Sequence, residues 1–237
     1  MKRIVLSALG ILFLSFLSVG CIRRPIENGS QFTWSESQKY EALKTLDVDM
    51  KIGVGELKIG GDSQDIFQGN FIYQPERWKP EVNYNSMGSQ GNLSIYQPSK
   101  MKGINLKHYK YLWDITLNNE PSINLNLKLG VGKSHLILGT LNLDKVDIEM
   151  GVGEAEIDLR GKWEKDVEIS IQGGVGKTTV LLPENMGVVA KIDKGIGEIS
   201  ANGLNKSDNV YTNELYSDDN PTLKIDMEAG IGQIELR

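Results

Sequence analysis

The 237-residue sequence is poor in the residues on which most site chemistry is built. It has a single cysteine, Cys21, and two histidines, His108 and His135, with no spacing that pairs them as ligands. No zinc-type donor set follows from these. A basic excess is missing too: 26 Lys and Arg stand against 31 Asp and Glu, a net charge of −5. A nucleic-acid-binding chain needs a basic face, so that class is set aside. Acidic residues such as Glu154, Glu156 and Asp158 alternate with apolar ones, which puts them on a solvated sheet face. A polysaccharide-cleaving enzyme needs carboxylates that converge. Tyr73, Trp78, Tyr84 and Tyr96 offer either packing at an end of the fold or a sugar-stacking surface. Asp218-Asp219-Asn220 reads as a solvated loop or a weak calcium site. No cofactor is implied.

What is present begins at the N-terminus. Lys2 and Arg3 precede an apolar run from Ile4 to Val19, and Gly20 leads to Cys21. A positive start, an apolar stretch and small residues at its end make a secretory signal. The run is short for a spanning helix, which needs ~20 apolar residues. Leu17-Ser18-Val19-Gly20-Cys21 resembles a bacterial lipobox, which implies removal of residues 1–20 and lipidation of Cys21. The other reading is an ordinary secretory signal with an incidental thiol. Residues 21–45 are expected to be a tether, with 35–44 open to a short helix or an edge strand.

The triplet Gly-Val/Ile-Gly then occurs six times, beginning at Gly53, Gly130, Gly151, Gly174, Gly195 and Gly230. The middle four are spaced by 21, 23 and 21 residues, which marks a repeat. Before each triplet apolar residues alternate with polar ones, as in Val146, Ile148 and Met150. After it the alternation resumes on the opposite parity, as in Ala155, Ile157 and Leu159. A period of two is that of a strand with one buried face. A parity slip would turn that face outward unless the chain bends at the glycines. The expectation is an all-β solenoid of strand–glycine corner–strand coils, a right-handed parallel β-helix by the usual crossover hand. It occupies 46–237, with degenerate coils and insertions in 46–122 and regular coils in 123–237. The central residues Val54, Val131, Val152, Val175, Ile196 and Ile231 are expected to point into the core. Four stretches of the first insertion read as strands: "DIFQGNFIY", "PEVNYN", "GNLSIYQ" and "YLWDITL". The second, "GLNKSDNVYTNELYSDDNP", reads as a polar loop.

One triplet imitates a nucleotide-binding loop: Gly173-Gly174-Val175-Gly176-Lys177-Thr178-Thr179. Such a loop must open a helix whose N-terminus faces the phosphates. Here the following residues, Thr178 to Leu182, favour a strand and end at Pro183. No nucleotide is expected, and Lys177 is placed on an exposed strand position.

The stretches "VDMKIGVGELKIGG", "YQPERWKPEVNYN", "GNLSIYQ" and "WDITLNNEPSINLNLKLGVG" resemble the toast-rack family of bacterial envelope proteins. The C-terminal half is similar to the C-terminal domain of LiaF-type proteins, which regulate responses to cell-wall-active antibiotics. LiaF-type proteins carry spanning helices, where this chain has its lipobox-like junction. The resemblance implies an extracytoplasmic, non-catalytic domain presented for binding or adhesion, or a regulator acting through a protein partner. The partners implied are the membrane, through lipid on Cys21, and an envelope protein or glycan.

Overall fold

The structure is a computed structural model that describes residues 31–98, 110–217 and 219–237. Among these residues the elements are strands, apart from one 3-10 turn at Glu76–Trp78. In chain order they are β1 (Phe32–Gln38), β2 (Thr45–Gly60), β3 (Phe67–Tyr73), β4 (Glu81–Met87), β5 (Gln90–Tyr96), β6 (Leu112–Leu117) and β7 (Ser122–Ile137). There follow β8 (Leu143–Asp158), β9 (Val167–Leu181), β10 (Gly187–Ala201), β11 (Asn205–Ser207), β12 (Val210–Thr212) and β13 (Thr222–Leu236).

Six long strands carry the six triplets and lie side by side, all parallel, in the order β2-β7-β8-β9-β13-β10. Each runs straight through its glycines as one element of 15 or 16 residues, so a coil holds one bent strand rather than two separate ones. The expected parity slip is present. In β8, Val146 and Ile148 are buried before the triplet, and Ala155 and Ile157 after it. Residues of both legs join one apolar cluster, so the bend folds the two inward faces around a shared core. Pairing passes from Leu129 opposite Met150 to Val131 opposite Val152 with the register unchanged, leaving the first glycine of each triplet unpaired in the ladder.

The glycines are there because neighbouring backbones touch. A Cβ placed on Gly153 would lie 1.8 Å from the Gly132 carbonyl oxygen, and one on Gly176 would lie 1.7 Å from that of Gly153. The second glycine of every triplet also has φ between 141° and 153°, a region side chains disfavour. Two glycine columns thus run across the stack. Between them the central Val and Ile residues form a third column, and here the expectation of burial fails. Val131, Val152, Val175, Ile231 and Ile196 are 45–72% exposed, and Val54 is half-buried. The central residue stands at the apex of the bend, where the flanking legs turn inward, so its side chain projects from the outside of the corner.

The insertions close the ends. All four strands expected in the first insertion form, as β3, β4, β5 and β6. β5 runs parallel to the first leg of β2 and β6 parallel to its second leg, which makes them one coil with its corner cut away. At the missing corner the Gln97 amide replaces a peptide. Gly53 N and Val54 N donate to its Oε1 at 2.6 and 2.9 Å, and its Nε2 donates to the Val54 carbonyl at 3.2 Å. β3 and β1 extend this end, with β1 antiparallel to β3. Phe32–Gln38 therefore joins the sheet from inside the stretch read as tether. The second insertion is not simply a loop. It holds the β11–β12 hairpin, whose β12 pairs with the first leg of β10 and buries Tyr211. The chain then returns to lay β13 between β9 and β10, so the last coil is out of sequence order.

Candidate interaction surface

The outward faces of the legs are lined by charge. On the second leg, Lys133 meets Glu154 at 2.8 Å, His135 Nδ1 meets Glu156 at 3.2 Å, and Lys177 meets Glu235 at 3.0 Å. Arg160 closes on Asp158 at 2.6 Å. The hydrogen bond from Lys133 holds the Glu154 carboxyl below its usual range, and Lys177 does the same for Glu235. Alternating Glu and Lys on adjacent strands follows directly from the repeat, because equivalent positions stack. The alternating carboxylates Glu154, Glu156 and Asp158 are therefore engaged in pairs on a sheet face, as their spacing suggests.

The corner is the exception to this polar coat. Strands in a sheet lie ~4.8 Å apart, so six corner residues make an apolar ridge about 24 Å long. Single exposed apolar residues are normal on a protein surface, whereas a contiguous row marks an interaction site. Along the first-leg side of the ridge runs an open groove of about 950 Å³, floored by the first glycines. Two positions before each first glycine stand Lys51, Lys128, Glu149, Gln172, Glu228 and Asp193 in spatial order, and Lys194 lines the groove beside Asp193. One end of that column is basic and the other acidic. Lys128 bonds Glu149 at 2.6 Å, and the hydrogen bonds from Asn209 and Lys191 hold Asp193 below the usual carboxylate range.

The family model for the N-terminal domain of toast_rack, DUF2154, matches residues 26–181. The chain belongs to the toast-rack family. A second model, for the C-terminal region of the cell wall-active antibiotics response protein LiaF, matches residues 130–236 of this toast-rack chain. The solved structure of a candidate cell adhesion protein from Clostridium sporogenes is 32% identical, with a TM-score of 0.84, over 87% of this chain and 99% of that one. A candidate adhesin from Bacteroides fragilis matches at 16% identity over 88% of this chain and 97% of that one, with a TM-score of 0.28. None of the curated proteins matches the chain.

Of the residues singled out in this toast-rack sequence, Cys21, His108 and Asp218 lie outside the described residues. His135 faces outward as expected. The Gly173–Thr179 stretch lies wholly within β9, in a strand and not at a helix start, with Lys177 exposed and paired to Glu235. Trp78 and Tyr73 are buried in the core, so they pack rather than offer rings to a sugar. Tyr84 is half-buried with its hydroxyl donating to Glu41 at 3.2 Å, and burial raises its pKa. Tyr96 is exposed. Among the described residues no helix is long and apolar enough to cross a membrane. The corner ridge is the surface that sequence reasoning assigned to the wrong side.

Proposed function

We propose that this protein is a non-catalytic, lipid-anchored component of the bacterial cell envelope that presents a right-handed β-solenoid for protein–protein binding through its corner ridge. The carrying observation is the row of exposed Val and Ile residues on an otherwise charged sheet. The relative described as a candidate cell adhesion protein supports a binding role, at 32% identity over most of both chains. Signal removal after Gly20, lipid on Cys21 and a short tether before Phe32 complete the proposal. Acyl chains contribute ~0.8 kcal/mol per buried methylene, and two or more anchor stably. Two measurements test it. A clickable fatty acid should label the wild type and not Cys21→Ser. A photo-cross-linking residue in place of Val152 should capture protein in intact envelopes, whereas one in place of the second-leg residue Glu156 should not.

A second reading is an envelope-stress regulator working through a protein partner, favoured by the LiaF-type match over residues 130–236. Deleting the gene and measuring the transcriptional response to a cell-wall-active antibiotic separates the two. An unchanged response removes the regulator.

A further inference from the structure

The ridge and the charged rim beside it share one property: the stack is self-complementary when reversed. Numbering the strands across the sheet as β2, β7, β8, β9, β13 and β10 places the midpoint between β8 and β9. Turning the stack end for end about that midpoint sets Lys51 opposite Asp193, Lys128 opposite Glu228, and Glu149 opposite Gln172. The next rim column agrees, with Asp49 opposite Lys191. The ridge maps apolar onto apolar, Val54 on Ile196, Val131 on Ile231, and Val152 on Val175. Stacking without reversal would set the first leg of each strand against the second leg of the same strand in the other copy, bringing Lys128 to Lys133, Glu149 to Glu154 and Asp193 to Glu198. On the far side of the ridge the reversed arrangement is mixed, setting Glu56 against Glu198 but Glu154 against Lys177.

We infer that the ridge is where two copies of this chain meet, antiparallel, about a two-fold axis that crosses the stack between β8 and β9. The inference rests on the ridge being a protein-binding surface and names its partner. A two-fold interface must be self-complementary, because the same patch serves on both copies. This patch satisfies that demand twice, in its apolar column and in its rim. The charges decide the direction, since like charges brought together at an interface suppress the wrong register. A contact some 24 Å long and two columns wide falls at the small, transient end of protein interfaces. Confinement of both copies to one membrane surface would raise their effective concentration and favour it.

The test is photo-cross-linking of the full chain in cells. A cross-linking residue at Val152 should give a covalent species of twice the chain mass. One at Ile196 should map by mass spectrometry to the partner's Val54 region. Lys128→Glu should lower the dimer yield several-fold, and adding Glu228→Lys in the same chain should restore it. Limited proteolysis of each variant confirms that the fold is intact. Cross-links from the ridge to a different protein alone would overturn the second copy as partner while leaving the binding surface standing. No capture of protein at any ridge position would overturn both. A dimer that maps Ile196 to Ile196, or that ignores Lys128→Glu, would overturn the antiparallel arrangement.

Discussion

Replacing Gly153 with alanine is expected to be among the most damaging single-methyl changes available in this protein. The new Cβ would sit 1.8 Å from the Gly132 carbonyl oxygen, inside the 3.0 Å that real Cβ atoms respect. The obstacle is backbone in the middle of a six-strand ladder, so β7 and β8 must part by more than an ångström at the corner. Holding alanine at φ 151° adds strain of ~1–3 kcal/mol. Parting the strands weakens several ladder hydrogen bonds, each contributing ~0.5–1.5 kcal/mol. The sum is about 4 kcal/mol or more, a large share of a total stability of ~5–15 kcal/mol. At ~2–4 °C per kcal/mol the melting temperature should fall by roughly 10 °C. Two other glycines separate the causes. Gly88 has φ 63° but nothing within 4 Å of its Cβ position, so Gly88→Ala should cost about 1–2 kcal/mol, from backbone strain alone. Gly60 has neither problem, and Gly60→Ala should be neutral or stabilise by up to ~1 kcal/mol. Thermal melts followed by circular dichroism should rank Gly60→Ala, Gly88→Ala and Gly153→Ala in that order. A Gly153→Ala melt matching that of Gly88→Ala would refute close backbone contact as the reason for the triplet.

Val152→Asp should shift the melting temperature by less than a few degrees, because the side chain is half exposed, whereas Ile157→Asp buries a charge at a fully buried position and should unfold the protein. Gln97→Ala should cost about 1–2 kcal/mol, and hydrogen exchange at the Gly53 and Val54 amides should quicken, since both donate to Gln97. Hydrogen bonds from Lys165 and Ser122 lower the Asp144 pKa, and Arg160 lowers that of Asp158. A depressed folded pKa gives stability that is present above the unfolded value of 3.8 and lost as pH falls through the folded one. Acid titration should therefore show stability falling below about pH 4, with a shallower fall in Asp144→Asn.

The legs were legible because alternation reports burial directly: Val146, Ile148, Ala155 and Ile157 are where the pattern put them. The glycines signalled a bend for the same reason. The side on which the corner residue falls was not legible. Period-two logic holds only where the strand does not bend, and the corner at the unpaired first glycine turns the next residue outward. Position within a hydrophobic repeat therefore says nothing at a break in the repeat. The order of the last two coils was hidden as well, because the triplets at Gly195 and Gly230 look alike and nothing local says which lies inside. Gln97 was invisible for a different reason. Its role depends on standing where a corner is missing, which only the pairing of β5 and β6 with β2 reveals.

The placement of β13 bears on how the stack is completed as the chain folds. Repeat proteins grow by adding each unit to the one before. That route serves β2, β7, β8 and β9, each of which finds its neighbour already made. It fails for β10, whose long edge is offered to a strand further along the chain. Until Thr222–Leu236 has docked, β9 ends the finished stack and β10 with its hairpin has no attachment to it through the ladder. This 15-residue strand is thus a keystone, joining two open edges in one step. A chain cut short of it would leave two sticky edges rather than one shorter protein.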